Sequence, residues 1–356
     1  MCIGDCDMNE QKCTLTPRIS YTNLDIAKFI CSLLVVMIHT APFVDYPIAH
    51  FYTVNVVART AVPLFFAVSG FLLFGRMTYE NGKLVDSPQN RSRMLQYLKK
   101  TVRLYILWAV FYLLVLLPDW YLSGWWGWVA VKDAVYAFLI KGTFAHLWYL
   151  LAVIWAIPIL YMLLRVVPLR TLRVIAAVLW FSECLDTTYS WLGCDRIAFM
   201  TFLAEKLPVV FSSTRCALPL MTFGASLGVI PHPRPVAARL RRVLLFGGIW
   251  ILEASAIYFS VPGHNHFSSV LVSPFFIHAV LDFLISGKQI PVPAPVQRIM
   301  RETNLIIYCL HPLVIHLLKK TGMGSGIPLW LLTTVGTVGL AYAWAQIKAS
   351  RVPARK

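Results

Sequence analysis

The chain contains ten apolar stretches, several of them near the length of a bilayer crossing, and this constrains its fold more than any other feature. They lie at approximately 24–43, 54–74, 103–118, 146–164, 172–185, 216–230, 243–260, 267–286, 304–318 and 327–347. About 20 apolar residues in a helix cross the hydrocarbon core. In lipid each backbone polar group must find its partner within the segment, which makes such stretches helices. The expected fold is therefore an all-α polytopic membrane protein with about ten transmembrane helices. Composition agrees: 58% of residues are hydrophobic and 13% charged, about half the roughly 25% usual in soluble proteins. A net charge of +16 on so few charged residues does not fit a nucleic-acid binder, whose basic excess sits on a highly charged surface. Twelve Trp and 15 Tyr suit membrane–water interfaces and exclude a disordered chain. The Trp-rich segment 119–145 carries Asp119, Lys132, Asp133 and Lys141, which predicts an interfacial or amphipathic stretch.

The basic residues set an orientation. Arg76, Lys83, Arg91, Arg93, Lys99, Lys100 and Arg103 fill one connection, and Arg165, Arg170 and Arg173 the next but one. Arg234, Arg239, Arg241 and Arg242, then Lys288, Arg298 and Arg301, then Lys348, Arg351, Arg355 and Lys356 continue the alternation. Loops 44–53 and 261–266 have no Lys or Arg, and loop 186–215 mixes Asp186, Asp195 and Glu205 with Arg196, Lys206 and Arg215. The positive-inside rule then puts both termini in the cytoplasm of a multi-pass plasma-membrane protein. The chain divides into a polar N-terminal tail (1–20), a transmembrane domain (21–347) and a basic cytoplasmic tail (348–356). Residues 1–20 hold Asp5, Asp7, Glu10 and Lys12 and no apolar run, so the first span is expected to serve as an uncleaved signal. Cys2, Cys6 and Cys13 lack a second ligand pair at zinc spacing, and no metal is expected. Cys31, Cys216 and Cys309 lie in apolar runs as packing residues, whereas Cys184 and Cys194 share an outer loop and could pair if that side is oxidising.

Chemistry concentrates on the first span. Asp25, Lys28 and His39 are costly at membrane depth. Lys28 and His39 stand eleven residues apart, close to three helical turns, and so share one face roughly 16 Å apart along the axis. Asp25 and Ser32 lie on that face too. Lys28 could snorkel beside Asp25, but a deeper His on the same face is harder to explain structurally, because imidazole is a general base near neutral pH.

The string from Asp25 to His39 resembles the opening of the acyltransferase-3 family of integral membrane acyltransferases, which has an Arg, ten residues and a His in its first helix. Here Lys28 takes the Arg place and His39 is the His. The likeness continues through Arg59-Thr-Ala-Val-Pro63-Leu-Phe-Phe-Ala-Val-Ser69-Gly70-Phe71. Lys100-Thr-Val-Arg103 resembles the family's R-x-x-R, and His146-Leu-Trp148-Tyr149-Leu its HLWYL segment. Arg301-Glu302-Thr-Asn-Leu-Ile-Ile-Tyr308-Cys-Leu-His311-Pro312-Leu resembles its last motif. The likeness runs from about 20 to 345 and is greatest to small members, similar to the membrane domain of vancomycin-resistance serine racemases. No racemase-sized domain follows, so racemisation is not expected.

The resemblance implies an O-acyltransferase, most simply an O-acetyltransferase. It would move an acyl group from cytoplasmic acetyl-CoA or another acyl-CoA to a hydroxyl on a cell-envelope glycan or other small extracytoplasmic acceptor. It implies His39 as general base, with a transient acyl-His as the other form, and Lys28 as a cofactor-orienting residue. Lys100 and Arg103 would contact cofactor phosphate, although they also obey the positive-inside rule. A Lys offers phosphate a point charge in place of a bidentate fork. Weaker candidates are Arg59, which could line the cavity or pair with Asp25, and Glu253, which could relay a proton or pair internally. His146, Trp148 and Tyr149 could equally form an aromatic belt, and His311 could act at a Pro312 kink or in catalysis. Ser69-Gly70 reads as a packing contact, and His264 and His266 could face the acceptor. The alternative function is a small-solute or amino-acid transporter. Two related halves with interrupted helices would favour it, and the sequence has neither.

Overall fold

The computed structural model describes residues 21–125, 127–144, 146–192, 213–230, 234–260 and 270–350. These residues are almost wholly helical. In chain order the helices are α1 (Thr22–Thr40), α2 (Pro47–Arg76), α3 (Pro88–Leu122), α4 (Trp128–Tyr136), α5 (Trp148–Val166) and α6 (Leu169–Asp186). They continue as α7 (Leu218–Val229), α8 (Val236–Ser260), α9 (Ser273–Ser286), α10 (Ala294–Lys320) and α11 (Ile327–Ser350). Six helices are long and apolar enough to cross a membrane: α1, α2, α3, α5, α8 and α11 up to Lys348. The remaining apolar stretches also fall in helices. However, α7 and α9 are shorter, α6 carries Arg170, Arg173, Glu183 and Asp186, and α10 carries His311, His316, Lys319 and Lys320.

Between α2 and α3 runs a hairpin of β1 (Tyr79–Glu80) and β2 (Lys83–Leu84), with Glu80 opposite Lys83. Asn81 and Gly82 have φ of 50° and 76°, the paired left-handed conformation of a two-residue turn, which an Asn-Gly pair adopts at least cost. The Leu169 N–H donates to the Gly82 carbonyl at 2.7 Å, tying the hairpin to the start of α6. Ser87 caps α3, its hydroxyl accepting from the Asn90 N–H at 3.1 Å, with Pro88 in the first turn. The amphipathic segment forms α4 and a π turn at Ala137–Lys141, with Trp128, Val129 and Val131 exposed.

The packing centre is the pair α2 and α7. A Cβ added to Gly70 would lie 2.0 Å from the Met221 carbonyl oxygen, and one on Gly224 would lie 1.9 Å from that of Ala67. Only glycine permits this approach, as at small-residue interfaces in membranes. One apolar cluster joins α2, α5, α6 and α7, and a second joins α1, α2, α3, α5, α9 and α10. The outward faces are apolar as well: Leu107 and Leu114 on α3, Val174 and Val178 on α6, Leu244 and Leu252 on α8, and Val335 on α11 are exposed. Such faces suit lipid and are rare on soluble surfaces.

α1 and α10 run side by side in the same direction. Near their starts the Arg301 guanidinium donates to Asp25 at 2.6 Å, and near their ends the rings of His39 and His311 lie 5.2 Å apart. Asn23, beside the start of α1, donates through its amide to the Leu284 and Lys288 carbonyls, fixing the end of α9 at the same level.

Candidate active site

Three histidines from three parts of the sequence converge. His39 comes from α1, His311 from α10, and His146 from the turn that leads into α5. The ring centroids of His146 and His311 are 5.6 Å apart. Gly142, with φ of 93°, opens that turn; a Cβ there would come within 3.0 Å of the Trp148 nitrogen. The Tyr308 hydroxyl donates to the His146 carbonyl, and Tyr112 donates to the Cys309 carbonyl at 2.6 Å. These bonds clamp the turn and α3 to α10. Aromatic rings of Tyr112, Phe144 and Tyr308 surround His146.

His146 and His311 are buried, and His39 is exposed at the mouth of a cavity of about 260 Å³. The cavity is lined by His39, Phe144, His146, Pro312, His316 and Lys319, among others. His311 Nδ1 lies 3.1 Å from the Ile307 carbonyl. A carbonyl only accepts, so Nδ1 carries the proton and Nε2 of the neutral ring is an acceptor. His311 Nε2 and both ring nitrogens of His146 have no hydrogen-bond partner among the described residues. Buried polar atoms without partners are uncommon and call for a ligand, water or function. No group of His, Cys, Asp or Glu among the described residues has the geometry to hold a metal ion.

The remaining candidates lie around or away from this centre. Arg59 is on a 3₁₀ turn of α2, donates to Asn55 at 3.4 Å and lies within electrostatic reach of His39. Asp25 instead engages Lys28 at 3.0 Å, Arg301 at 2.6 Å and Gln297 at 2.9 Å. Lys28 thus sits in an ion-pair cluster at the other end of α1 from His39. Tyr149 lies 3.3 Å from Ser69, hydroxyl to hydroxyl, and Trp148 packs edge-on to Phe66. His146 and Tyr149 are therefore interior groups, not members of a lipid-facing belt. Glu253 accepts from the Tyr189 hydroxyl, from the Leu271 N–H at 2.8 Å and from the Val272 N–H at 3.2 Å. It pairs internally, which accounts for it without a relay. Lys100 and Arg103 are exposed, one turn apart on α3. Nearby, Asp86, Arg91 and Lys99 line a groove of about 540 Å³. Cys184 is buried with a free thiol, and Arg215 pairs with Glu183 and Asp186. Cys194, Asp195, Arg196, Glu205, Lys206, His264, His266, the tail 1–20 and residues 351–356 lie outside the described residues.

Sequence spacing found the stripe on α1 but not its partners. His146 and His311 were legible as members of resembling motifs, each also with a structural explanation, but their approach to His39 was not.

The family described as "Acyltransferase domain" matches residues 21–345. An amino-acid racemase of Enterococcus faecalis is 30% identical over 187 residues, 49% of this chain and 23% of that protein. A second amino-acid racemase from that organism is 26% identical over 82% of this chain and 40% of its own length. A serine/alanine racemase of Enterococcus gallinarum is 25% identical over 92% of this chain and 46% of its own length. The chain thus spans less than half the length of these curated relatives. No solved structure matches it.

Proposed function

From the premise that the chain belongs to the acyltransferase-3 family of membrane proteins, we propose that it is an O-acyltransferase. In this reading it moves an acyl group, most simply acetyl, from cytoplasmic acyl-CoA to a hydroxyl of a cell-envelope glycan or other extracytoplasmic acceptor. The observation that carries the reading is the cavity lined by His39 and His146, with the His311 ring packed 5.2 Å from His39 and its acceptor nitrogen left without a partner among the described residues. Acyl transfer to a hydroxyl needs such a base. The acceptor hydroxyl passes its proton to an imidazole nitrogen as its oxygen bonds to the thioester carbonyl. The tetrahedral centre then collapses, the C–S bond breaks, and the CoA sulfur leaves with that proton. His39 at the cavity mouth is the residue best able to meet both reactants and act as base. His311, its Nδ1–H held by Ile307, is the second imidazole within reach and can orient His39 or share the proton. Lys28 would orient the donor from the opposite end of the stripe, and Lys100 and Arg103 would contact its phosphates.

The test is acyl transfer and acyl-CoA hydrolysis by the purified protein in detergent, with His39→Gln and His311→Gln beside the wild type. Loss of a general base costs about 10²–10⁴-fold in rate. A His39→Gln protein that transfers acyl groups at near wild-type rate would remove His39 from this role.

A second reading, a small-solute or amino-acid transporter, is compatible with relatives named for amino-acid substrates. Uptake of labelled serine or alanine into proteoliposomes lacking any acyl-CoA would favour it over acyl transfer.

A further inference from the structure

At the end of the bundle that holds Asp25 and Lys28, three guanidinium groups converge on one buried carboxylate, and a fourth arginine stands beside them. Asp282, near the end of α9, is 1% exposed. It accepts from Arg239 and Arg242 on the first turns of α8, each at 3.1 Å. Arg234, just before α8, reaches it at 3.7 Å. Arg173, on the first turn of α6, lies within electrostatic reach of both Arg234 and Arg242. Four positive charges thus gather near one negative charge.

Neutralising Asp282 does not account for all four. Two arginines already satisfy its oxygens with hydrogen bonds. Arg173 Nε and Arg234 Nη1 are buried atoms with no hydrogen-bond partner among the described residues. Unpartnered guanidinium N–H groups, crowded by like charges, are costly unless an anion completes them. The starts of α6 and α8 also turn their positive ends to this level. Exposed basic residues of inner loops obey the positive-inside rule without such burial. This cluster is also separate from Lys100 and Arg103, which are exposed on α3.

We propose that Arg173, Arg234, Arg239 and Arg242 form a phosphate-binding site, with Asp282 holding two of the arginines in place. Planar guanidinium forks suit phosphate oxygens. Arg173 supplies an unpaired donor, and Arg234, 3.7 Å from Asp282 and not hydrogen-bonded to it, supplies a loosely held one. The phosphate can belong to the nucleotide of the CoA donor, a possibility that rests on the acyl-transfer reading, or to the headgroup of an anionic phospholipid. Basic pockets between helices at this level of a membrane bind such headgroups.

The experiment measures binding directly and needs no acyl transfer, so its failure and that of the acyl-transfer reading are separate results. Binding of 3′-phosphoadenosine 5′-phosphate is measured by calorimetry on the full chain in detergent. Nanodiscs of phosphatidylcholine, with and without phosphatidylglycerol, report lipid dependence through thermal stability. The variant is Arg173→Gln with Arg234→Gln, which leaves Arg239, Arg242 and Asp282 intact, and its melting temperature in detergent checks folding. Loss of about one charge-assisted hydrogen bond weakens binding about tenfold. Nucleotide binding weakened by that factor in a variant of unchanged melting temperature supports the site with a nucleotide source. Stabilisation by phosphatidylglycerol that the variant loses, without nucleotide binding, supports it with a lipid source. Equal responses of wild type and variant to both probes overturn it. If the variant fails to fold, Arg173→Lys with Arg234→Lys, which keeps the charge but not the fork, is read against the same outcomes.

Discussion

His311 stands next to a proline inside α10. Pro312 has no N–H to give the Tyr308 carbonyl one turn back, so the helix hydrogen-bond ladder is broken at the histidine. The His311 ring bonds to the neighbouring Ile307 carbonyl at 3.1 Å, which leaves its other nitrogen pointed away as an acceptor. Pro312→Ala restores the missing ladder bond and lines the cavity less fully. It is expected to reduce acyl transfer more than it reduces stability, read as turnover against melting temperature in detergent. Asp282 illustrates a different residue-scale effect. Asp282→Asn removes the negative charge that Arg239 and Arg242 share, and because Arg242 is partly exposed the cost falls below the about 3–5 kcal/mol of a fully buried pair. A lower melting temperature in detergent is expected to report this loss, in contrast to the Arg173→Gln and Arg234→Gln variant.

At the scale of elements, glycines are not equivalent, because only some sit where backbones touch. Gly70 on α2 meets the Met221 backbone, and Gly339 on α11 has nothing within 4 Å of an added Cβ. Gly70→Ala must push α2 and α7 apart, which is expected to cost about 1–3 kcal/mol or more. Gly339→Ala removes a flexible residue from a helix and is expected to be neutral or stabilising by up to about 1 kcal/mol. Thermal unfolding of the two variants in one detergent checks both, and equal effects would discount the close contact. The hairpin depends on Asn81 and Gly82 in left-handed backbone, and the sequence pair Asn-Gly made that turn readable. The contact of Gly82 with Leu169 across a long sequence separation was not.

For the whole molecule, the alternation of basic connections and the shared direction of α1 and α10 lead to one topological expectation. The hairpin end, with Asp25 and the arginine cluster, faces the cytoplasm, and the end with His39, Lys319 and Lys320 faces outward. Cysteine placed at Asn81 or at Gly324 in a cysteine-substituted background tests this with a membrane-impermeant thiol reagent. Gly324→Cys is expected to label in intact cells, and Asn81→Cys only after permeabilisation. The opposite pattern would invert the orientation and exchange the expected donor and acceptor sides.

The sequence by itself determined that this is a helical membrane protein, roughly where its apolar stretches lie, and that Lys28 and His39 share a face. Those are local properties, set by hydropathy along the chain and by the helix repeat. Helices such as Pro88–Leu122 and Ala294–Lys320, however, begin ten or more residues before their apolar stretches. Family resemblance in five ordered motifs reached further, because motif order survives where helix contacts cannot be read. Tertiary structure decided the rest. It brought His146 and His311 to His39, gave Asp25 to Arg301 and Gln297 in addition to Lys28, turned Glu253 into an internal acceptor, and assembled three arginines on Asp282 with a fourth beside them. The physical reason is that a membrane helix is apolar both toward lipid and toward its neighbours. Hydropathy therefore marks a span without saying which helix it touches, and the chemistry here lies in those contacts.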